Sequence, residues 1–208
     1  MGMPKTGKTH FSLTFPDPIC LYSFDFGADY VAGKFSAKQI EIRKFQPPIV
    51  ASVRPGKDII QLRDAFRADF EKALGQGFNT IIIDTATALW EIIRWAFTEE
   101  RNRNQLLARD YGEPNAQMTY SILQPQYLGI NIVLINYLTE RWVDDKNTGE
   151  LKLDGFKKTN GLADIVLQTD REGKKMRSFI EVCRFDPELN GEELEPPTYD
   201  TLMELLGV

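Results

Sequence analysis

A glycine-rich octapeptide at the beginning of the chain constrains its fold more than any other feature. Residues 2–9 read GMPKTGKT, which fits the pattern G-x-x-x-x-G-K-[ST] without a mismatch. Glycines let such a loop curl until its main-chain N–H groups point at phosphates, and the N-terminus of the following helix favours an anion. The octapeptide therefore predicts a phosphate-binding loop that leads into a helix.

The motif gives each of its residues a role. We expect Lys8 to contact the β- and γ-phosphates of ATP and the Thr9 hydroxyl to ligate Mg²⁺. The other residues expected to bind the nucleotide, through the loop and the first helical turn, are Gly2, Met3, Pro4, Lys5, Thr6, Gly7 and His10. The alternative is a chance match in a turn that contains glycines.

The position of the motif departs from the usual pattern. A loop of this kind normally follows a buried strand, and here only Met1 precedes Gly2. We therefore expect the first strand to be missing from this chain. The chain is then either a fragment that begins upstream, which we favour, or one with an unusually anchored loop.

Strand-like and helical segments alternate along the remainder of the chain. The predicted strands are 19–25, 39–45, 80–84, 131–138, 164–169 and 179–183, and the main predicted helices are 58–74, 86–101 and 115–128. Near-continuous apolar strands are buried on both faces. We predict an α/β three-layer sandwich with a mostly parallel central sheet, forming one domain over residues 1–208 with residues 186–208 as a C-terminal appendage.

Polar side chains at the ends of three strands are candidate site residues. Asp84 follows Ile81–Ile83 and is predicted to bind Mg²⁺ together with Thr9, although it could instead cap the next helix. Asp25 could orient an attacking water molecule or be an ordinary turn residue. Asn136 could sense the γ-phosphate or simply end its strand.

The composition excludes several classes of protein. Hydrophobic residues are 42% and charged residues 26%, which excludes a disordered or fibrous chain. The net charge of −5 excludes a generally basic nucleic-acid coat, so DNA contact would require a local patch. Without a long apolar run or a signal pattern, we expect no membrane partner and a cytoplasmic location.

Several of these segments together resemble a known family. The segments GMPKTGKT, ICLYSFD, NTIIIDTATALW, NIVLINYL and ADIVLQTDREGKKMRSFIEVCRFD are similar to the RecA-like ATPase core over nearly the whole chain. Within that core group, the chain most resembles the short bacteriophage ATPases of the single-strand-annealing (Sak-type) and AAA-like nucleotide-binding group. The resemblance implies a phage-encoded, ATP-dependent protein of the host cytoplasm that acts in DNA recombination or single-strand annealing.

The resemblance also implies partners and further site residues. It implies a homo-oligomer with ATP between neighbouring subunits, in which Asn136 senses the γ-phosphate and Arg184 reaches a neighbour's nucleotide. Residues 139–161 occupy the place of a mobile loop that binds single-stranded DNA. In that loop Phe156 could stack on a base, and the lysines that could contact phosphates are Lys146, Lys152, Lys157 and Lys158.

Two departures from the family keep other functions open. The family's catalytic glutamate after the second strand is absent, and Asp25 is its nearest substitute, so hydrolysis is expected to be slow. Acidic and basic residues balance in 139–161, so DNA affinity is expected to be modest and salt-dependent. The alternatives are an ATP-gated assembly or loading factor with little hydrolysis, and a P-loop kinase or metabolic NTPase without a nucleic-acid role.

Overall fold

A parallel sheet of four strands forms the centre of the fold. The structure is a computed structural model that describes residues 1–47 and 56–208. In the order β2-β1-β3-β4, the strands are β1 (Ile19–Ser23), β2 (Ile40–Lys44), β3 (Thr80–Asp84) and β4 (Asn131–Ile135). Every residue of β1 and β3 is buried, as the apolar runs predict. The irregular connection that the sequence suggests at 46–56 falls mainly on 48–55, outside the described residues.

Helices cover both faces of this sheet. They are α1 (Lys8–Ser12), α2 (Ala28–Ala32), α3 (Asp58–Ala73), α4 (Ala86–Glu100), α5 (Gly112–Tyr127), α6 (Thr159–Leu162) and α7 (Tyr199–Leu206). Successive strand residues point to opposite faces, so Tyr22 packs in the cluster with Phe66 of α3, whereas Leu21 packs in the cluster with Leu13 after α1. The predicted α/β sandwich is confirmed. None of the helices in the described ranges is long and apolar enough to cross a membrane.

Antiparallel strands follow the parallel sheet. A hairpin pairs β5 (Tyr137–Val143) with β6 (Lys146–Asp154), and a second sheet contains β7 (Ile165–Glu172), β8 (Lys175–Cys183) and β9 (Glu193–Leu194). The predicted strand 131–138 is thus split at Asn136. The expectation of a loop over 139–161 is wrong, because this stretch forms most of the hairpin and α6. Its exposed polar strands lack the apolar pattern of a buried strand, and the turn uses positive φ at Asp144 and Asp145.

Two residues anchor the phosphate-binding loop to the sheets. Gly2 forms isolated parallel bridges with Tyr137 on one side and Thr169 on the other. Gly2 N donates to Asn136 O at 3.3 Å, and Thr169 N donates to Met1 O at 2.7 Å. Among the described residues, no full strand lies between β4 and β7, and the loop is held by this two-residue segment.

The last part of the chain, residues 186–208, packs against α1. Leu194 of β9 pairs with Ser178 of β8. Leu202 of α7 is buried in one cluster with Phe11 of α1. Tyr199 N, at the start of α7, donates to Thr14 Oγ1 at 2.8 Å. This segment therefore holds the helix that follows the phosphate-binding loop.

Candidate nucleotide-binding site

The two glycines of the octapeptide are required for different reasons. Gly7 precedes α1 with φ of 91°, a left-handed conformation that suits glycine. Gly2 is constrained by close contact, because a Cβ there would lie 2.4 Å from Thr169 Oγ1. Phe11 N donates to Gly7 O, which is one of the first hydrogen bonds of α1. The N–H groups before Phe11 therefore lie at the N-terminal end of the helix, which favours an anion.

The ammonium group of Lys8 lies at the centre of this loop. It donates to Gly2 O at 3.0 Å and to Met3 O at 2.6 Å. It also lies 4.8 Å from the centre of the Tyr137 ring. Burial lowers the pKa of Lys8, while the nearby carboxylates of Asp84 and Asp25 act in the opposite direction. The loop thus surrounds its own lysine with carbonyl oxygens.

Thr9 and Asp84 meet directly, although they are 75 positions apart. Thr9 Oγ1 donates to Asp84 Oδ2 at 2.7 Å. Burial raises the pKa of Asp84 to about 6, and the Thr9 hydrogen bond and the charge of Lys8 lower it in part. The cap of α4 is Thr85, whose side chain accepts from Ala88 N, so helix capping does not account for Asp84. A hydroxyl and a carboxylate are ligands that Mg²⁺ favours, and this pair fits such an ion.

Asp25 lies in the same group of side chains. Tyr137 Oη donates to Asp25 Oδ2 at 3.2 Å. Burial raises the pKa of Asp25, and the hydrogen bond from Tyr137 and the charge of Lys8 oppose that shift. The same surroundings raise the pKa of Tyr137 to about 12. Sequence reasoning missed Tyr137; its place at the carboxyl end of β4, next to Asn136, is the signal that could have found it.

Asn136 lies where β4 gives way to β5. Its side chain is 3% exposed, and its carbonyl oxygen accepts from Gly2 N. Its side-chain oxygen has no hydrogen-bond partner among the described residues. The structure therefore brings together Lys8, Thr9, Asp25, Asp84 and Asn136 around the loop.

Two predicted site residues make their contacts elsewhere. The His10 ring packs on Phe35, with 4.9 Å between ring centres, so only its main chain belongs to the loop's helical turn. Arg184 follows β8 and binds Asp164 Oδ1 at 3.1 Å and Gly161 O at 2.8 Å. No contact joins Arg184 to residues 2–9 in the described part of the chain.

The hairpin residues differ from expectation in their exposure. The lysines at 146, 152, 157 and 158 are all exposed, as contact with a phosphate backbone would require. Phe156 is 2% exposed and packs on Trp90, so the expectation that it stacks on a base is wrong. Trp142, which the sequence analysis did not single out, is 57% exposed on β5.

A comparison with protein families identifies the family of this chain. Residues 1–192 match the model of a family described as an AAA domain, AAA_24. The chain belongs to this AAA domain family. Among functionally curated proteins, none gives a significant match to this AAA domain protein.

Solved structures share the fold of this AAA domain protein. The RadB recombinase is 15% identical with a TM-score of 0.53, and the match covers 92% of this chain and 82% of RadB. A KaiC-like protein of Pyrococcus horikoshii OT3 is 13% identical with a TM-score of 0.50, over 92% of this chain and 80% of that protein. The chain thus has the RecA-like P-loop NTPase fold that its sequence predicts.

Proposed function

We propose that this AAA domain protein binds ATP with Mg²⁺ at residues 2–9, hydrolyses it slowly, and uses it to control binding of single-stranded DNA in recombination or annealing. One observation carries the proposal. Thr9, the last residue of the octapeptide, donates its Oγ1 hydroxyl to the buried carboxylate of Asp84 at the end of β3. This pairing links the two halves of an NTPase site that lie far apart in the sequence.

The loop residues bind and orient the nucleotide. Lys8 exchanges its bonds to Gly2 O and Met3 O for phosphate oxygens, so the charge of its buried ammonium is offset by the ligand. Thr9 and Asp84 would hold Mg²⁺, which when bound neutralises charge on the phosphates. Asn136, buried beside Gly2, would donate its amide to the terminal phosphate.

Asp25 is the candidate base in this site. Tyr137 holds one carboxylate oxygen of Asp25, which leaves the other to accept a proton from an attacking water molecule. Aspartate has a shorter reach than the glutamate found in related ATPases, so positioning is expected to be less effective and turnover slow. A protein that binds ATP without measurable turnover would fit the alternative of an ATP-gated loading factor.

The β5–β6 hairpin is the candidate DNA-binding element. It begins at Tyr137, whose hydroxyl is bonded to Asp25 in the nucleotide site, and it extends to the exposed Trp142. An exposed indole offers a stacking surface for a base, and exposed lysines offer contacts to phosphates. The family of short bacteriophage ATPases that the sequence resembles, and the recombinase name of RadB, favour a DNA partner over a metabolic substrate.

Fluorescence anisotropy of a labelled single-stranded oligonucleotide tests this proposal. The titration is run at fixed moderate salt, with and without Mg-ATP, on the wild type and on Lys8→Ala. Lys72→Ala, at the end of α3, is the control that removes the same charge elsewhere. We expect binding that depends on ATP and disappears in Lys8→Ala alone, together with loss of ATP binding. Folded protein that binds ATP but never DNA would contradict the DNA role and leave the nucleotide site intact.

Subunit mixing tests the predicted role of Arg184 at a neighbour's nucleotide. Lys8→Ala and Arg184→Ala should each be inactive as an ATPase. An equal mixture should regain part of the turnover, because mixed interfaces contain one intact Lys8 and one intact Arg184. Absence of any recovery, from variants shown to co-assemble, would contradict a site shared between subunits.

A further inference from the structure

The β5–β6 hairpin projects from the rest of the fold. In the part of the chain that the structure describes, β5 and β6 form a two-stranded sheet of their own. Residues 140–152 are all exposed, and burial begins only at the base of the hairpin, where Leu138 is 7% exposed. A two-stranded ribbon has little stability of its own. The few contacts at its base therefore decide how the hairpin is oriented.

One buried hydroxyl contacts both strands of the hairpin at this base. Thr87 lies in the first turn of α4 and is 7% exposed. Its Oγ1 accepts from Tyr137 N at 3.1 Å and donates to Asp154 O at 2.6 Å. Tyr137 is the first residue of β5, Asp154 is the last residue of β6, and the two are paired in the register of the hairpin. Because a hydroxyl group can accept and donate at once, a single Thr87 side chain bonds both strands.

The chain that leaves the hairpin packs against the same helix. Gly155 lies so close to its neighbours that a Cβ there would be 3.3 Å from Asn136 Oδ1 and 3.5 Å from Thr87 Cα. The next residue, Phe156, packs on Trp90, with 5.2 Å between ring centres. Trp90 lies one turn beyond Thr87 on α4. The base of the hairpin is therefore held by the first two turns of α4.

The first turn of α4 is also joined to the candidate nucleotide site. Asp84, which accepts from Thr9, ends β3 and lies three residues before Thr87. Between them, Thr85 caps α4 by accepting from Ala88 N, so the turn that contains Thr87 is fixed to the end of β3. Any displacement of Asp84 would therefore also displace Thr87.

We propose that Thr87 is a positioning residue through which the nucleotide site sets the orientation of the hairpin. Tyr137 Oη contacts Asp25 from β5 alone, whereas the Thr87 hydroxyl holds both strands. From Tyr137 to Trp142 the extended chain is about 17 Å long, so a rotation of about 10° at the base would move Trp142 by about 3 Å. The coupling of ATP to DNA rests on the proposed function, whereas the hold of Thr87 on the hairpin does not.

Hydrogen exchange without nucleotide tests the hold on the hairpin, using Thr87→Val and the matched control Thr98→Val. Thr98 is buried on the same helix, and its hydroxyl donates to Arg94 O within α4. In Thr87→Val, amide exchange over residues 137–140 and 151–154 should be about tenfold faster, because each strand loses a hydrogen bond at the base. Thr98→Val and Thr87→Ser, which keeps the hydroxyl, should exchange there like the wild type. Unchanged exchange in Thr87→Val, or equal acceleration in Thr98→Val, would overturn the proposal.

The same measurement with Mg²⁺ and a non-hydrolysable ATP analogue tests the coupling. In the wild type and in Thr87→Ser, the analogue should slow exchange on both strands at the base of the hairpin. In Thr87→Val it should still protect the amides of residues 2–9, but the response of residues 151–154 should be lost. A purely structural role would leave that response in place. If Thr87→Val fails to fold, the wild type decides: a response confined to β5, or no response in the hairpin while residues 2–9 are protected, overturns the proposal.

Anisotropy with a single-stranded oligonucleotide separates this proposal from the proposed function. The factor by which Mg-ATP strengthens DNA binding should fall about fivefold or more in Thr87→Val and remain in Thr87→Ser and Thr98→Val. An unchanged factor in Thr87→Val would overturn the role of Thr87. A wild type that binds no DNA, or whose residues 2–9 no nucleotide protects, would contradict the proposed function instead, and the nucleotide-free exchange comparison would still decide whether Thr87 holds the hairpin.

Discussion

Replacing Asp84 by asparagine should stabilise the nucleotide-free protein. Burial raises the pKa of this carboxyl from 3.8 to about 6. A shift of about two units corresponds to about 3 kcal/mol of unfolding free energy lost when the carboxylate is charged. Asparagine has the shape of the neutral acid, and its side-chain oxygen can still accept from Thr9 Oγ1. At neutral pH the variant should therefore gain up to about 3 kcal/mol.

The size of the effect depends on pH in a defined window. Below 3.8 the carboxyl is protonated in both folded and unfolded chains, so wild type and variant should be equally stable. As the pH rises from 3.8 through about 6, the folded wild type loses stability, because its carboxyl holds the proton more tightly than the unfolded chain does. The gain from Asp84→Asn should appear across this window and remain constant above it.

Urea unfolding without nucleotide or Mg²⁺, at about pH 7.5 and at about pH 4, measures both values. At neutral pH the gain should also appear as a rise of roughly 6–12 °C in the melting temperature. Asp110→Asn is the control of opposite sign. The Leu107 N–H lowers the pKa of Asp110, so that variant should lose stability at neutral pH. An Asp84→Asn variant that is destabilised at pH 7.5, or stabilised equally at both pH values, would refute the reasoning.

Three further substitutions test individual contacts. Tyr137→Phe removes the hydrogen bond that lowers the pKa of Asp25, so the acidic limb of the ATPase pH profile should move to higher pH while nucleotide affinity stays constant. Gly7→Ala should lower the free energy of unfolding by about 1–2 kcal/mol because the backbone at Gly7 is left-handed. The added Cβ would also meet the Met176 side chain, so urea titration should be repeated in a Met176→Ala background, where much of the loss should remain. Trp142→Ala should weaken single-stranded DNA binding by about 1–3 kcal/mol in anisotropy without changing its salt dependence, because stacking releases no counterions; an altered salt slope would contradict stacking.

Local chemistry explains why part of the site could be predicted from the sequence. The spacing of the octapeptide is visible in the sequence without the fold, and Gly7 meets a local need, because its backbone is left-handed. Asp84 is found because an apolar run ends on it, and the carboxyl ends of parallel strands meet at one edge of a sheet. The contact between the octapeptide and Asp84, made by Thr9, follows from that topology.

The remainder depends on contacts that no local pattern encodes. Tyr137 reaches Asp25 because the carboxyl ends of β4 and β1 lie at the same edge of the sheet, with β3 between them. The position of Tyr137 after a strand marks it as a candidate site residue, but it does not indicate Asp25 as its partner. Phe156 lies in a polar stretch that suggests exposure, yet it is buried against Trp90. The hairpin itself lacks apolar alternation, so only its turn residues could have indicated it.

The position of Tyr137, the first residue of the hairpin, has a thermodynamic consequence. Because Tyr137 belongs to β5 and also bonds to Asp25, any ligand on the hairpin that favours one arrangement of this residue also changes the nucleotide site. If the hairpin binds DNA as proposed, linkage makes the effect reciprocal: the factor by which ATP would strengthen DNA binding equals the factor by which DNA would strengthen ATP binding. The seven residues of β5, about 23 Å of extended chain, would couple the two binding sites, although the two ligands do not contact each other.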